Sequence, residues 1–393
     1  MVEIDSIVEF EKWLKAKIPY KAAIQNLDLR KYDTLLKYSY DGCLFLGGEM
    51  TKEIAGHITL TGGLVILNRK EVSFKIHRTN LYDPLELFKG FDLKNPKGYH
   101  STFDFKVYKE YVNTGMENPT SILISLSRRL HDHSITDALD ELITNKKVVA
   151  IMGGHAMERK NPYYLKIAKI ARTLTQKGFL LVSGGGPGAM EATHVGAYFS
   201  HRTEQEMEHA IQEMSQRPAD APANKEYDDD DWLHRAWKVF HEYPIAEKHK
   251  ETSMSIGIPT WLYGHEPPSI FATHIAKYFA NSVREDGLLT IAKHGVIFAP
   301  GSAGTTQEIF QDATQNHYAP YNKHKKFTKQ VSPMILFGVK AWTKDRPLWD
   351  FMQQVTKDRP YGELLQLTES IDEVVEAIVS YKAEDYTFPK TNY

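Results

Sequence analysis

The chain has 393 residues, of which 42% are hydrophobic, 25% charged and 11% aromatic, the proportions of a folded globular protein and not of a collagen-like, coiled-coil or wholly disordered one. Its 48 basic and 50 acidic side chains give a formal net charge of −2, which excludes the basic footprint of a binder of nucleic-acid polymers. The single cysteine, Cys43, excludes an internal disulfide and a cysteine-built zinc site. No run of about 18 uncharged apolar residues occurs, so no membrane span is expected. The opening stretch MVEIDSIVEFEKWLKAKI mixes acids into its apolar positions, unlike a signal peptide, and a cytoplasmic location is expected.

Residues 1–142 read as an N-terminal α+β module in which no chemistry is evident. Residues 7–18 have helical spacing, whereas 56–68 and 71–77 alternate like strands. The segment LDLRKYDTLL hints at a rung of a β-solenoid, but the sequence shows no convincing array of repeats. His131 and His133 form an H-x-H pair with no third ligand nearby, and read as a polar helix boundary, not as a metal site.

From residue 146 the pattern changes to short apolar runs ending in small residues, each followed by an amphipathic segment, which is the mark of a parallel sheet with crossover helices. The runs are 148–152, 179–182, 254–258, 296–299 and 334–337, with 364–367 as a possible edge strand. Helices are expected at 163–176, 268–283, 305–317, 348–357 and 371–381. Together these predict an α/β fold, a Rossmann-like doubly wound parallel sheet over 143–385, followed by a tail at 386–393. Residues 215–232 (SQRPADAPANKEYDDDDW) interrupt the rhythm and read as a mobile surface insertion whose four aspartates are solvated.

Ligands of such sheets bind at the carboxyl ends of the strands, and three of those ends are rich in glycine. The first carries Gly153, Gly154 and His155; the second Gly184, Gly185, Gly186 and Met190; the third Gly301, Ser302, Gly304, Thr305, Thr306 and then Glu308. Glycine lets a phosphate approach the backbone, and the following helix offers unpaired N–H groups with a favourable dipole. The hydroxyls of Ser302, Thr305 and Thr306 add side-chain donors. Glu308, three residues after Thr305, shares a helix face with it; a loop that only binds phosphate gains nothing from that charge, which makes sense if something on the sugar side needs it, the alternative being that the glycines make tight turns and Glu308 is a first-turn acid favoured by the helix dipole. Gly184, Gly186 and Ala189 match the dinucleotide fingerprint by spacing, but they follow the second strand and no acid-tipped strand succeeds them; no G-K-[ST] follows a glycine run, which excludes a P-loop.

PGSAGTTQE, Pro300 to Glu308, resembles the P-G-G-x-G-T-x-x-E motif of the LOG family, the cytokinin-activating phosphoribohydrolases once labelled lysine decarboxylases. SGGGPGAMEA, Ser183 to Ala192, is similar to that family's G-G-G-x-x-G-L-M-G motif, and the resemblance covers roughly residues 146–382. The length, the added module and GHEPPSIFATHIAKYF look more like the long bacterial nucleotide 5′-monophosphate nucleosidases. Ser302 and Glu191 stand where the family motifs have glycine, and Glu285 where short members carry lysine. The resemblance implies hydrolysis of the N-glycosidic bond of a nucleoside 5′-monophosphate, with no metal and no cofactor, by a homodimer or larger homo-oligomer. It implies catalytic roles for Glu308 and for Arg284, which lies where the family's catalytic arginine precedes the motif proline. Gly301, Ser302, Gly304, Thr305 and Thr306 would hold the phosphate, and Gly153, Gly154, His155, Gly184, Gly185, Gly186 and Met190 the rest of the nucleotide. A non-catalytic nucleotide sensor and a glycohydrolase of ADP-ribose-type nucleotides remain alternatives at this stage. No lysine sits at a glycine-rich strand end to form a Schiff base, so decarboxylation has no support.

Overall fold

A computed structural model describes residues 1–18, 20–95, 98–223, 225–229, 231–319 and 331–382. The expected tail at 386–393 lies outside them. The chain divides into two compact units, Met1–Leu81 with Lys106–Leu142, and Tyr82–Phe105 with Ile143–Tyr393.

The first unit is built on four short strands, β1 (Val2–Ile4), β2 (Ala22–Gln25), β3 (Leu44–Leu46) and β4 (Leu64–Ile66), all parallel and in sequence order. Partners Val2↔Ala22, Ala23↔Leu44 and Leu44↔Leu64 show that each step across the sheet advances the chain by 20 or 21 residues. That is a solenoid, a regular stack of rungs, and it corrects the expectation that no repeat array is present. The repeat escapes the sequence because each rung contributes only three or four strand residues, and the returns differ: a helix (Ile7–Lys15), a 3₁₀ turn (Asp33–Lys37) and a second helix (Lys52–Leu60).

The second of those helices occupies part of the stretch expected to be strand. Thr51 caps it by accepting a 3.2 Å bond from Ile54 N, and Ile54 and Ile58 bury one face at i,i+4 while Leu60 is exposed. The apparent alternation of Ile58 with Leu60 was therefore not a strand signal, and only β4 is extended. Residues 71–77 form no strand. His131 and His133 lie inside the 22-residue helix Ile122–Ile143, not at its boundary; His131 is fully buried, 3.3 Å from Asp132 Oδ1. Phe10, Trp13, Ile24, Leu29, Leu35, Tyr40 and Phe45 form this unit's core.

The second unit carries a seven-stranded sheet in the order β11-β10-β9-β5-β6-β7-β8. Its strands are β5 (Lys147–Met152), β6 (Phe179–Ser183), β7 (Ser255–Gly257), β8 (His274–Ile275), β9 (Val296–Phe298), β10 (Met334–Phe337) and β11 (Leu365–Thr368), and every pairing is parallel. The first strand of the unit sits in the middle, and the chain winds outward from it first to one edge and then to the other, which is the doubly wound Rossmann-like arrangement. Burial on both faces explains why the central strands read as continuous apolar runs and not as alternating ones. Helix starts are equally local: Asn161 accepts from Tyr163 N, and Pro162 takes the first position of the helix Pro162–Gln176.

Two expectations for this unit are corrected. Residues 268–280 are not helical; they contain β8, and the helix begins only at Asn281 and runs to Ile291. Ile270, Phe271, Ala272, Ile275, Ala276, Tyr278 and Phe279 are all buried, so the segment has no polar face for a surface helix. The insertion at 215–232 is tied down. Arg217 Nε lies 2.6 Å from Asp229 and its Nη1 2.9 Å from Glu158, while buried Glu226 accepts from the backbone N–H of Arg159 at 2.7 Å. Arg217 thus pairs both within the segment and with Glu158 outside it, and Glu226 reaches back to the Arg159 backbone, links that local composition does not show. Among the described residues, no helix is long and apolar enough to cross a membrane.

Candidate functional site

The strand order reverses between β5 and β9, and the loops after β5, β6 and β9 meet above that point. Gly154 N donates to Pro300 O at 3.1 Å, and Ala189 N donates to Gly154 O at 3.1 Å, so each loop is bonded to the next. Glycine is required for this approach: a Cβ on Gly153 would lie 2.6 Å from that of Ala189, and one on Gly154 would lie 3.3 Å from Gly301 Cα.

The loops enclose a cleft of about 240 Å³. Gly153, Gly154 and His155 line it from the first loop, Gly184, Gly186 and Met190 from the second, and Ser302, Gly304, Thr305 and Glu308 from the third, with Arg284 beside them. Three of the residues singled out in the sequence do not line it. Gly185, at φ +75°, packs β6 against the segment after β7, where a Cβ would stand 2.8 Å from Pro259. Gly301 leaves room for the Thr305 hydroxyl, and Thr306 Oγ1 donates 3.1 Å back to Ser302 O, so its proton is used within the helix.

The helix Ala303–Tyr318 starts at Ser302 with no side-chain cap, and Ala189–Tyr198 starts at Gly188 likewise. Ala189 N is taken up by Gly154 O, and the other first-turn amides of the two helices have no intrahelical or side-chain cap; residues of both first turns line the same cleft. An uncapped N-terminus receives anions through its N–H groups and its dipole.

Glu308 is 8% exposed, and its carboxylate makes no hydrogen bond among the described residues. Burial pushes its pKa up to about 7; Arg284 opposes the rise and Glu285 adds to it. Arg284, from the helix Asn281–Ile291, is fixed by a 2.7 Å bond from Nε to Ile258 O, and Nη2 lies 2.7 Å from where a Cβ of Gly184 would be. It influences Glu308 through space, without a direct ion pair.

Pro259, Thr260, Tyr263 and Glu266 complete the lining, and sequence reasoning did not single them out. Glu266 is a second carboxyl in the cleft. Burial raises its pKa, with His155, His265 and Arg284 acting in the opposite sense. Its only signal in the sequence is an acid placed before Pro267 and Pro268, a pattern without periodicity. Glu191, by contrast, points away into the protein: Arg159 binds it twice, at 2.6 and 2.8 Å, and the Tyr164 hydroxyl donates to it at 2.8 Å. All three side chains are fully buried.

No protein-family model and no curated protein matches the chain. Among solved structures it is similar to the molybdenum cofactor binding protein from the phototrophic bacterium Rippkaea orientalis, at 13% identity and a TM-score of 0.35, over 60% of this chain and 97% of that one. TM1055 is 18% identical with a TM-score of 0.34, covering 60% of this chain and 99% of its own. The molybdenum cofactor carrier protein MCP from Chlamydomonas reinhardtii is 10% identical with a TM-score of 0.33, over 60% of this chain and 100% of that one.

Proposed function

We propose that the cleft hydrolyses the N-glycosidic bond of a nucleoside 5′-monophosphate, releasing the free base and ribose 5-phosphate. The observation that carries this reading is the position of Glu308: a buried carboxylate without hydrogen bonds among the described residues, on the helix whose own uncapped start lines the cleft. An anion held at that start and a carboxylate one turn further along suit a substrate that is negative at one end and becomes positive in the middle. Breaking the glycosidic bond sends its electron pair to the base nitrogen and develops positive charge on the ribose ring. A fixed carboxylate stabilises such charge best where water is excluded. Water then bonds to the anomeric carbon, Glu308 takes its proton, and that proton passes to the nitrogen of the departing base, which leaves as the neutral free base and returns Glu308 to its carboxylate.

In this reading the first-turn amides and Ser302 hold the phosphate, so that binding at a remote group orients the reacting carbon. Arg284 tempers the charge of Glu308 and faces the phosphate. Glu266 accepts hydrogen bonds from the ribose hydroxyls, contacts that strengthen as the ring becomes cationic. Incubation with AMP, GMP, CMP, UMP and IMP, followed by chromatography for free base, tests the reaction. Nucleotide binding without any base release would leave only a binding protein.

Two further outcomes follow from the geometry. Ser302→Ala is expected to weaken inorganic phosphate binding about fivefold, the worth of one hydrogen bond, whereas Thr306→Val leaves it within about twofold, as calorimetric titration would read. The pH dependence is set by Glu308, whose ionised form is the active one. With its pKa raised to about 7, kcat/KM is expected to rise with pH to a plateau above 7, and to lie about 100-fold below that plateau at pH 5. A profile flat from pH 5 to pH 8 would remove Glu308 from the chemistry.

A further inference from the structure

We propose that Asp104 and Tyr99 are positioning residues for the cleft, holding the strap of residues 259–279 so that Tyr263 and Glu266 face the ligand. The kinetic part of this inference rests on the hydrolytic reading above; the structural part does not.

Asp104 lies on the first turn of the helix Phe103–Asn113, fully buried and outside the cleft lining. Its carboxylate receives Lys277 Nζ at 2.6 Å on one oxygen and 2.7 Å on the other, and Trp261 Nε1 at 2.9 Å. The Tyr99 hydroxyl stands 2.7 Å from Asp104 Oδ2 and 3.0 Å from Gly264 O, within reach of both acceptors. Lys277 is 1% exposed and its ammonium lies 5.4 Å from the centre of the Trp261 ring. Trp261, Gly264 and Lys277 all belong to the strap, so each of these four side-chain contacts of Asp104 and Tyr99 reaches it or joins the two residues to each other.

The foot of the strap is closed by its own backbone: Trp261 N donates to Tyr278 O at 2.9 Å and Tyr278 N to Pro259 O at 3.1 Å. Between the foot and the Lys277 pin, the chain has only a two-residue strand as regular support beyond a short 3₁₀ turn at Trp261–Tyr263. Glu266 is two residues from Gly264, the last pinned point before it. A buried carboxylate paired with a buried ammonium has few tolerable geometries, because either ion left alone in the interior is strongly unfavourable. The pair therefore holds the Trp261 and Lys277 ends of the strap, Ser269 N donates to Gly185 O at 2.7 Å beyond Glu266, and between these points the direction from which Glu266 enters the cleft is set.

Tyr99→Phe tests this in the full chain, since it removes one hydroxyl and leaves the ion pair; Asp104→Asn is the stronger companion variant. For Tyr99→Phe, hydrogen exchange of peptides spanning 259–279 is expected to quicken about fivefold while the peptide carrying 301–308 is unchanged. kcat on the best-cleaved monophosphate is expected to fall about fivefold or more, with inorganic phosphate affinity within about twofold of wild type. Unchanged exchange and kcat in Tyr99→Phe overturn the proposal, as does faster exchange throughout the chain with kcat per folded molecule intact. If the wild-type protein cleaves no monophosphate, the reaction reading fails alone, and AMP binding decides the positioning role. Weaker AMP binding at constant phosphate affinity supports it, and equal affinities for both ligands overturn it.

Discussion

Glu308→Gln is expected to reduce turnover of the preferred nucleoside monophosphate by about 10²- to 10³-fold, the loss seen when one electrostatic group aimed at a transition state is removed. Affinity for the same nucleotide changes little, because the amide is of the same size and the phosphate is held elsewhere. Steady-state kinetics with a separate binding titration checks both halves. The same change acts on stability with the opposite sign. A buried carboxyl whose folded pKa is raised from 4.5 to about 7 favours the fold below 4.5, and this contribution is lost as pH rises through 7. Glutamine never ionises. The variant is therefore expected to be more stable than wild type by on the order of 3 kcal/mol at pH 8, falling to about 1 kcal/mol at pH 5, in denaturant titrations. Loss of activity with gain of stability marks a group retained for chemistry at the expense of the fold. A plain structural residue would lose both.

The second large effect lies behind the cleft. Glu191→Gly, which places here the glycine of the motif that this segment resembles, is expected to destabilise the protein by about 3–5 kcal/mol, because Arg159 is left buried without its counter-ion. Arg159 loses the two bonds to Glu191 and keeps the carbonyls of Met214 and Trp232 at 3.2 and 3.1 Å, together with the Trp232 ring 4.6 Å from its guanidinium. Denaturant titration reads the loss. Replacing both ions together, Arg159→Met with Glu191→Leu, is expected to recover most of it, since two apolar groups leave no uncompensated charge. If Glu191→Gly instead leaves stability unchanged and lowers nucleotide affinity, the glutamate belongs to the site and not to the scaffold.

What was legible in the sequence follows the physics of each element. The strands at 148–152, 179–182, 296–299 and 334–337 are buried on both faces, so continuous apolar runs announce them, and the structure places them within one or two residues. The glycine-rich ends are legible for a related reason. Close loop-on-loop packing at Gly153 leaves a Cβ only 2.6 Å from that of Ala189, which favours glycine there, and at Gly154 a Cβ would already be crowded at 3.3 Å. Glu308 was found by its helical spacing from Thr305 within the motif.

The residues that escaped are those defined by partners distant in the chain. Asp104 is separated from Lys277 by 173 positions and Arg159 from Glu191 by 32, and no local pattern links either pair. Glu266 lies in an irregular strap, where neither a helical nor a strand period points it anywhere. Uniform burial made residues 268–280 look like an apolar helix, although a helix at a surface needs a polar face that this segment lacks. The solenoid was hidden because a repeat of three-residue strands with unlike returns has almost no sequence self-similarity.

The most direct test is a quantitative product analysis. Wild-type protein incubated with each nucleoside 5′-monophosphate is expected to release free base and ribose 5-phosphate in equal amounts from at least one of them, and Glu308→Gln is expected to bind that nucleotide without releasing either. Release of phosphate with an intact nucleoside, or base release that survives Glu308→Gln undiminished, would contradict the assignment of this cleft to glycosidic hydrolysis by Glu308.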